Sequence, residues 1–238
     1  MSPRRGKSYL DIRSFDTGDS SPGQGITDGT MGGILGETLQ SKDAANDFTG
    51  YEVLIDFMRE QALHELAGDI CEIGAFMGGG TVKLAHYAQK HGKNVYAIDI
   101  FNPGCDETED VSGARMCDIY QAFLAGRSQL EVYNEAIQGF DNIITIDMDS
   151  KEVEFSTEQS FIFGFIDGNH QPEYVRNDFH LIWHNLVPGG CVGFHDYNFD
   201  LPEVTEAIDR LIEEHTKEIS EVHEIKENHI VLLSKRKA

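Results

Sequence analysis

Two uninterrupted apolar runs constrain the fold of this chain more than any other feature. The first runs from Phe161 to Ile166 and the second from Gly189 to Phe194. Apolar runs of about six residues are typical of strands buried on both faces, as in a parallel sheet covered by helices. The first run leads directly into Asp167-Gly-Asn-His170 and the second into His195-Asp196. Because ligands of open α/β sheets bind at the carboxyl ends of the strands, we expect these polar side chains to gather at one functional edge.

Strand and helix patterns alternate along most of the chain, which predicts a mostly parallel sheet with helices on both faces. The last two strands are joined by only Lys226-Glu-Asn228, too short for a helical crossover, so they should form an antiparallel hairpin. The sequence therefore predicts an α/β, Rossmann-like, doubly wound sheet of seven strands with a C-terminal antiparallel hairpin. The predicted strands lie at 69–74, 94–101, 142–147, 161–166, 189–194, 221–225 and 229–234, and the predicted helices at 51–66, 81–91, 112–139 with a break near Gly126, 173–185 and 202–215.

The first 48 residues differ in composition from the rest of the chain. They are polar and rich in Gly, Ser, Thr and Asp, with one short apolar patch from Met31 to Leu35. Such a segment cannot bury enough apolar surface to become ordered alone. We therefore predict a flexible N-terminal arm, or a lid over the functional edge, at residues 1–48, followed by a folded domain at residues 49–238.

The charge balance limits the partners of this chain. It has 19 Lys and Arg against 41 Asp and Glu, a formal net charge of -22 that repels nucleic-acid phosphates and anionic membrane surfaces. No apolar stretch approaches the ~20 residues of a membrane span, and the basic start lacks the apolar region of a signal peptide. The four cysteines form no CxxC pair, and Cys71 and Cys191 lie in predicted strands as buried free thiols. We expect a cytoplasmic protein that binds a small molecule, and the sequence leaves a homo-oligomer open.

A glycine-rich segment connects the first predicted strand to the next helix. It reads Glu72-Ile-Gly74 and then Gly78-Gly-Gly80, and these glycines let the backbone approach a ligand closely. The spacing differs from the G-x-G-x-x-G of dinucleotide-binding turns, and a carboxylate precedes the first glycine. Both differences suit a cofactor with a cationic or amine-bearing group and no pyrophosphate. Asp99 ends the next strand, where an acidic side chain can accept hydrogen bonds from ribose hydroxyls. For the glycines alone, an ordinary tight turn is the alternative.

Four segments together resemble a known family: 72–81, Tyr96-Ala-Ile-Asp99, 166–170 and 188–197. They resemble class I S-adenosylmethionine-dependent methyltransferases over about residues 50 to 236. More narrowly, they are similar to the metal-dependent sugar O-methyltransferases typified by macrocin O-methyltransferase, with cephalosporin-hydroxylase-like proteins as near relatives. The resemblance implies methyl transfer to a hydroxyl of a small molecule, such as a sugar or a secondary metabolite. A hydroxylase-like enzyme of the same fold and a non-catalytic cofactor-binding module are the alternatives.

The resemblance also implies how the cofactor is held. Glu72 and Gly74 would line the methionine part, with Gly78 in the same turn, and Asp99 would hold the ribose. Asp149 and Ser150, just past the third predicted strand, match the adenine-side position of the family.

The same resemblance implies a divalent metal, Mg²⁺ or Mn²⁺, bound by Asp167, His195 and Asp196. Imidazole in the middle position departs from the all-oxygen ligand set of better-known members, and as a softer ligand it also suits Fe²⁺ or Zn²⁺. In a metal-free alternative, His195 hydrogen-bonds a neighbour and Asp196 caps the next loop.

His170 is the predicted general base, with Asp167 as the second catalytic residue. Histidine suits this role because its pKa lies near neutrality. His170 stands three residues after Asp167, where related catechol O-methyltransferases carry a lysine. The alternative is a surface histidine that stabilises a turn.

Overall fold

The computed structural model describes residues 47–237, all of which belong to one compact unit of the chain. The arm predicted at 1–48 therefore lies almost wholly outside the described residues and stays a prediction. Within 47–237, no helix is long and apolar enough to cross a membrane. All four cysteines are free thiols, and the burial predicted for Cys71 and Cys191 is confirmed.

The fold is built on a seven-stranded sheet with the strand order β3-β2-β1-β4-β5-β7-β6. The strands are β1 Asp69–Ile73, β2 Val95–Asp99, β3 Ile143–Asp147, β4 Phe161–Ile166, β5 Leu186–Phe194, β6 Ile219–Ile225 and β7 Ile230–Lys235. Strands β1 to β5 pair in parallel, whereas β7 pairs antiparallel with both β5 and β6. The predicted fold class and its C-terminal hairpin are confirmed.

Within residues 47–237, six α-helices flank the sheet: α1 Glu52–Glu60, α2 Gly79–Lys90, α3 Met116–Leu124, α4 Gln129–Ala136, α5 Pro172–Trp183 and α6 Pro202–Glu214. The break predicted near Gly126 is confirmed, because left-handed backbone at Ala125 and Gly126 separates α3 from α4. The helix predicted at 51–66 was too long. It ends at Glu60, left-handed backbone follows at Ala62, and only a short 3-10 turn continues at Leu63–Glu65.

The two largest apolar clusters of the described residues form layers on the two faces of the sheet. Phe179 on α5 and Ile208 on α6 pack in one layer, and Met58 on α1 and Leu84 on α2 pack in the other. Every residue of β4 is buried, as the apolar run predicted. Gly164 in this strand allows α5 to approach closely, since a Cβ there would lie 2.5 Å from the Ile182 side chain.

Parallel register brings the carboxyl ends of the central strands to one level. Ile73 at the end of β1 pairs with Ile98 of β2 and Ile166 of β4, and Ile166 pairs with Phe194 of β5. The residues that follow these positions therefore start at the same edge of the sheet, and this edge carries the candidate site.

One buried carboxylate in the core gives a stability prediction. Asp178 on α5 is fully buried, and its Oδ2 has no hydrogen-bond partner among the described residues. Burial raises the pKa of Asp178 to about 6, so the native state holds a proton that the unfolded chain releases near pH 4. The free energy of unfolding should therefore fall as pH rises from about 4 through 6, by up to about 3 kcal/mol from this group.

Asp178→Asn should remove this part of the pH dependence, so the variant gains stability relative to wild type between pH 4 and pH 7. Urea unfolding at several pH values measures this difference. Asp141→Asn, at an exposed loop position, is the control and should follow the wild-type curve. Parallel curves for wild type and Asp178→Asn would refute the assignment.

Candidate active site at the carboxyl edge of the sheet

Gly74 brings the turn after β1 into backbone contact with the end of β4. Its φ is 92°, and a Cβ at this position would lie 2.0 Å from the carbonyl oxygen of Asp167. Its amide also donates to the carbonyl of Ile98 at 2.9 Å. Only glycine fits this left-handed and crowded position. The predicted cofactor turn and the predicted metal-binding loop are therefore neighbours.

Gly78 and Gly80 shape the amino end of α2. A Cβ at Gly78 would lie 3.1 Å from the side chains of Tyr133 and Ala136, and one at Gly80 would lie 2.4 Å from the Tyr51 ring. Gly78, which has a φ of 83°, precedes the helix without a capping side chain. The amino end of α2 thus lies close to α4 on one side and to Tyr51 on the other.

Glu72 is a buried carboxylate, and one of its two oxygens lacks a hydrogen-bond partner among the described residues. Its side chain is fully buried, Oε2 accepts a hydrogen bond from Thr81 Oγ1 at 2.5 Å, and Oε1 has no partner among the described residues. Burial raises the pKa of Glu72 to about 8, although the hydroxyls of Thr81 and Tyr51, which hydrogen-bond to the carboxylate, oppose the rise. An unpartnered buried oxygen of this kind fits a cationic or amine-bearing ligand.

Asp99 joins the turns that follow β1 and β2. Its carboxylate accepts hydrogen bonds from the amides of Phe76 at 2.8 Å and Phe101 at 2.6 Å, and from Gln129 Nε2 at 3.1 Å. Both phenylalanines have left-handed φ angles, of 46° and 47°. A carboxylate has about four lone-pair sites, so three protein donors leave about one for a ribose hydroxyl rather than several. Burial raises the pKa of Asp99 to about 6.

Asp149 and Ser150 lie in the turn after β3. Asp149 accepts hydrogen bonds from the amide of Lys151 and from the Tyr174 hydroxyl, each at 2.9 Å, and Ser150 is buried. The amide of Met148 donates to the carbonyl of Asp99 at 3.1 Å, which holds this turn beside the carboxylate at the end of β2. Their adenine-side role stays a prediction.

The structure brings Asp167, His195 and Asp196 together. His195 Nδ1 lies 3.2 Å from Asp167 Oδ1 and 3.2 Å from Asp196 Oδ2. Asp167, His170 and Asp196 each also offer one ligand atom, and these three atoms lie within 4.8 Å of one another. His170 therefore joins the three residues that the sequence predicted as ligands.

Asp196 shows that this cluster fits a cation. The residue is 3% exposed, has a left-handed φ of 57°, and its Oδ1 has no hydrogen-bond partner within 47–237. Burial alone would raise the pKa of Asp196, but the adjacent His195 and His170 outweigh it and hold the pKa well below its usual range. A buried, ionised oxygen without a partner is a suitable ligand for a divalent metal.

His170 lies between two carboxylates rather than in an exposed turn. It is 4% exposed, its Nδ1 lies 2.6 Å from Asp106 Oδ2, and its Nε2 lies 2.8 Å from Asp196 Oδ2. Burial lowers the pKa of His170, but the two carboxylates outweigh burial and raise it to about 10. The imidazole is thus protonated at neutral pH in this structure, whereas the sequence suggested a pKa close to the ordinary value.

Sequence reasoning missed Asp106 and Thr49. Asp106 belongs to the run Cys105-Asp-Glu-Thr-Glu-Asp110, in which no pattern distinguishes one acid from another. Thr49 donates to Asp167 Oδ2 at 2.9 Å, and Asp47 accepts from the amide of Thr49 and from buried Lys83. The contacts of Thr49 with Asp167 and of Asp47 with Lys83 join residues far apart in the chain, so local spacing contains no signal for them.

A small cavity of about 140 Å³ adjoins His170. Its walls are formed by Thr108–Val111, in the segment between β2 and α3, and by Leu201–Val204 at the start of α6. The amide of Val111 donates to the carbonyl of Asp200 at 3.0 Å and links the two walls. The cavity offers room for a small group next to the imidazole.

The geometry of this edge, with a glycine turn beside an acidic and histidine cluster, is that of a group-transfer enzyme with a small cofactor. Residues 71–197 match the family model described as a methyltransferase domain. Because the match covers more than half of the 238 residues, the chain belongs to this methyltransferase family. The predicted resemblance to class I S-adenosylmethionine-dependent methyltransferases, and with it an enzyme of that class, is confirmed.

Solved structures of methyltransferases share this fold at low sequence identity. The O-methyltransferase NovP has a TM-score of 0.61 and 14% identity, over 80% of this chain and 80% of NovP. CalS11, a TDP-rhamnose 3'-O-methyltransferase of calicheamicin biosynthesis, has a TM-score of 0.53 and 15% identity, over 76% of this chain and 77% of CalS11. A putative caffeoyl-CoA O-methyltransferase from Staphylococcus aureus has a TM-score of 0.50 and 14% identity, over 79% and 84% of the two chains. No curated protein sequence matches this chain.

Proposed function

We propose that this protein is an O-methyltransferase that transfers the methyl group of S-adenosylmethionine to a hydroxyl of a small molecule, such as a sugar or a secondary metabolite. The observation that carries the proposal is the convergence of two carboxylates and two imidazoles, those of Asp167, His170, His195 and Asp196, beside the turn of Gly74. The cavity of about 140 Å³ next to His170 supports a small acceptor. CalS11, which is a TDP-rhamnose 3'-O-methyltransferase, directs the first acceptors to test toward sugars.

The cofactor would lie along the carboxyl edge of β1, β2 and β3. Glu72, with its unpartnered Oε1, would face the amine of the methionine part beside Gly74 and Gly78. Asp99 would accept a ribose hydroxyl, and Asp149 with Ser150 would line the adenine side. The carboxylate of Glu72 also favours a positively charged ligand over a phosphate-bearing one.

Asp167, His195 and Asp196 would hold a divalent metal, Mg²⁺ or Mn²⁺. When bound, such an ion acts as a Lewis acid that lowers the pKa of a hydroxyl next to it. The unpartnered Oδ1 of Asp196 supports this site. The imidazole of His195 makes Mn²⁺ the better match of the two, since nitrogen ligands suit a softer ion.

His170 would move the proton of the acceptor hydroxyl through Nε2, the ring nitrogen on the side of Asp196. As long as no other cation neutralises Asp106 and Asp196, the imidazole keeps its proton, because these two carboxylates raise the pKa of His170 to about 10. It becomes a base when another positive charge engages Asp196. Asp167 would act beside it by orienting the acceptor at the same centre.

Release of S-adenosylhomocysteine tests the proposed function. The protein is incubated with S-adenosylmethionine, Mn²⁺ or Mg²⁺, and a panel of deoxysugar glycosides and phenols. We expect turnover with at least one acceptor, and mass spectrometry should place the methyl group on oxygen. Methylation on nitrogen, or tight cofactor binding with no transfer to any hydroxylated acceptor, would count against the proposal.

Cofactor binding should release a proton from Glu72. At pH 7 this carboxyl is mostly protonated because its pKa is about 8, and a nearby amine cation favours the ionised form. Isothermal titration in buffers of different ionisation enthalpy should show release of close to one proton more in wild type than in Glu72→Gln. The variant should bind S-adenosylmethionine at least 10-fold more weakly, since a charge-assisted hydrogen bond contributes ~1.5–3 kcal/mol. Glu60→Gln on the exposed face of α1 is the control, and equal proton release in wild type and Glu72→Gln would exclude the assignment.

Metal removal should stop turnover. We expect dialysis against EDTA to abolish activity, and Asp167→Asn and Asp196→Asn each to weaken Mn²⁺ binding at least 10-fold, because each removes a carboxylate ligand. Titration with Mn²⁺ followed by electron paramagnetic resonance measures this affinity without any acceptor. Asp200→Asn, which changes a carboxylate close in sequence but outside the cluster, should bind normally. His195→Asp should shift the preference toward Mg²⁺. Full activity after exhaustive chelation would show that the carboxylates act on the acceptor directly.

Loss of His170 should slow proton transfer. With the best acceptor of the panel at saturation, kcat should rise with pH, and the rise should continue above pH 6.5 because the carboxylates raise the pKa of His170. His170→Ala should flatten this rise and lower kcat by ~10²–10⁴-fold, the usual contribution of a positioned base. The affinity for S-adenosylmethionine should stay within a factor of about two. His223→Ala, on the exposed edge strand β6, is the control. An unchanged pH profile in His170→Ala would show that His170 is not the base and has only a structural role.

A further inference from the structure

Asp106 contributes a carboxylate to the centre of the site. Its Oδ2 lies 2.6 Å from His170 Nδ1 and also accepts the backbone amide of His170 at 3.4 Å. The side chain is almost fully buried, at 7% exposed. One carboxylate oxygen therefore contacts both the ring and the backbone of His170, across 64 residues of sequence.

Hydrogen bonds within its own segment and from the loop of His170 hold Asp106 in place. Its Oδ1 accepts the amide of Thr108 at 3.1 Å, and its carbonyl accepts the amide of Cys117, in the first turn of α3, at 2.9 Å. From the other side, Asn169 Nδ2 donates to the carbonyl of Cys105 at 3.3 Å. The carboxylate of Asp106 is thus fixed in place with respect to the imidazole of His170.

An ionised carboxylate accepts hydrogen bonds but donates none, so the contact with Asp106 requires a proton on His170 Nδ1. The doubly protonated ring also donates from Nε2 to Asp196, and Nε2 is the nitrogen that can pass its proton on while Nδ1 stays bound to Asp106. Without Asp106, the ring that has given up one proton could keep the remaining proton on Nε2 or turn by half a rotation. Both changes would present the wrong atom to the acceptor.

We propose that Asp106 is the positioning residue of this active site: it fixes the tautomer and the orientation of His170, so that Nε2 faces the reacting groups. The proposal rests on the function proposed above for its effect on catalysis, but the placement of the proton does not depend on it. Asp106 also lies two residues before the wall of the small cavity, so the same contact ties that wall to the imidazole.

The competing explanation is that Asp106 only anchors the segment between β2 and α3. An anchor would affect stability and the KM of the acceptor, and would leave the imidazole of His170 unchanged. The state of the ring therefore separates the two explanations.

Asp106→Asn is the test, in the full-length protein labelled with ¹⁵N. Once rising pH has removed one proton from the ring, the wild-type spectrum should show the remaining proton on His170 Nδ1, and Asp106→Asn should lose that preference or show two exchanging ring states. With the best acceptor of the panel, kcat should fall about 10- to 100-fold, the usual effect of removing such a supporting contact. The KM for S-adenosylmethionine should stay within about twofold. Glu107→Gln is the matched control: it removes one charge from the adjacent, exposed position and should leave spectrum and kcat unchanged.

A singly protonated wild-type ring that carries its proton on Nε2 would overturn the proposal, even if the variant fails to fold. An unchanged ring state in folded Asp106→Asn, with normal kcat and a raised acceptor KM, would also overturn it and identify an anchor. These outcomes can be distinguished from those that would refute the proposed methyltransferase function. If no acceptor is methylated, or if His170→Ala keeps full activity, the base assignment fails, while the ring spectrum still decides whether Asp106 positions the imidazole.

Discussion

The parallel, in-register pairing of β1, β4 and β5 is the constraint on which the active site depends. Ile73, Ile166 and Phe194 lie side by side in three neighbouring strands, so the loops after them start at one level. Gly74 then lets the first loop contact the second, because no side chain separates it from the carbonyl of Asp167. The turn after β1 and the acidic cluster are neighbours for these two reasons. Any residue with a Cβ at Gly74 would force the two loops apart.

The electrostatics of the edge are those of a site made to receive positive charge. Glu72 and Asp196 are buried, and each keeps one carboxylate oxygen without a protein partner. Within the cluster, the imidazoles of His170 and His195 already balance part of the negative charge of Asp106, Asp167 and Asp196. Leaving buried oxygens unpaired costs folding free energy, and such costs are found where a ligand completes the arrangement. Under the proposed function, the same residues lower the stability of the ligand-free protein and favour binding of the cofactor and the metal.

Much of this fold could be predicted from local pattern. The apolar run at 161–166 and the short link at 226–228 specified a central buried strand and an antiparallel hairpin, because burial and connection length leave few alternatives. The sequence also grouped Asp167, His195 and Asp196 correctly at one edge, from the rule that parallel strands end together. It could not show that Asp106 contacts His170, or that Thr49 contacts Asp167, because both contacts cross long stretches of chain that no period or spacing relates. For Asp99, local reasoning placed the carboxylate correctly but not the three protein donors that already occupy it.

The sequence by itself determined the class of fold, the edge that carries the candidate site and the residue types gathered there, since these follow from hydrophobic period, strand order and strand ends. Only the tertiary structure decided which atoms face one another. The protonation of His170 depends on two carboxylates brought from other loops, and the unpartnered oxygens of Glu72 and Asp196 depend on which neighbours happen to reach them. Hydrogen bonds and desolvation act over a few ångströms in space rather than along the chain, so the chemical state of each side chain is a property of the folded protein.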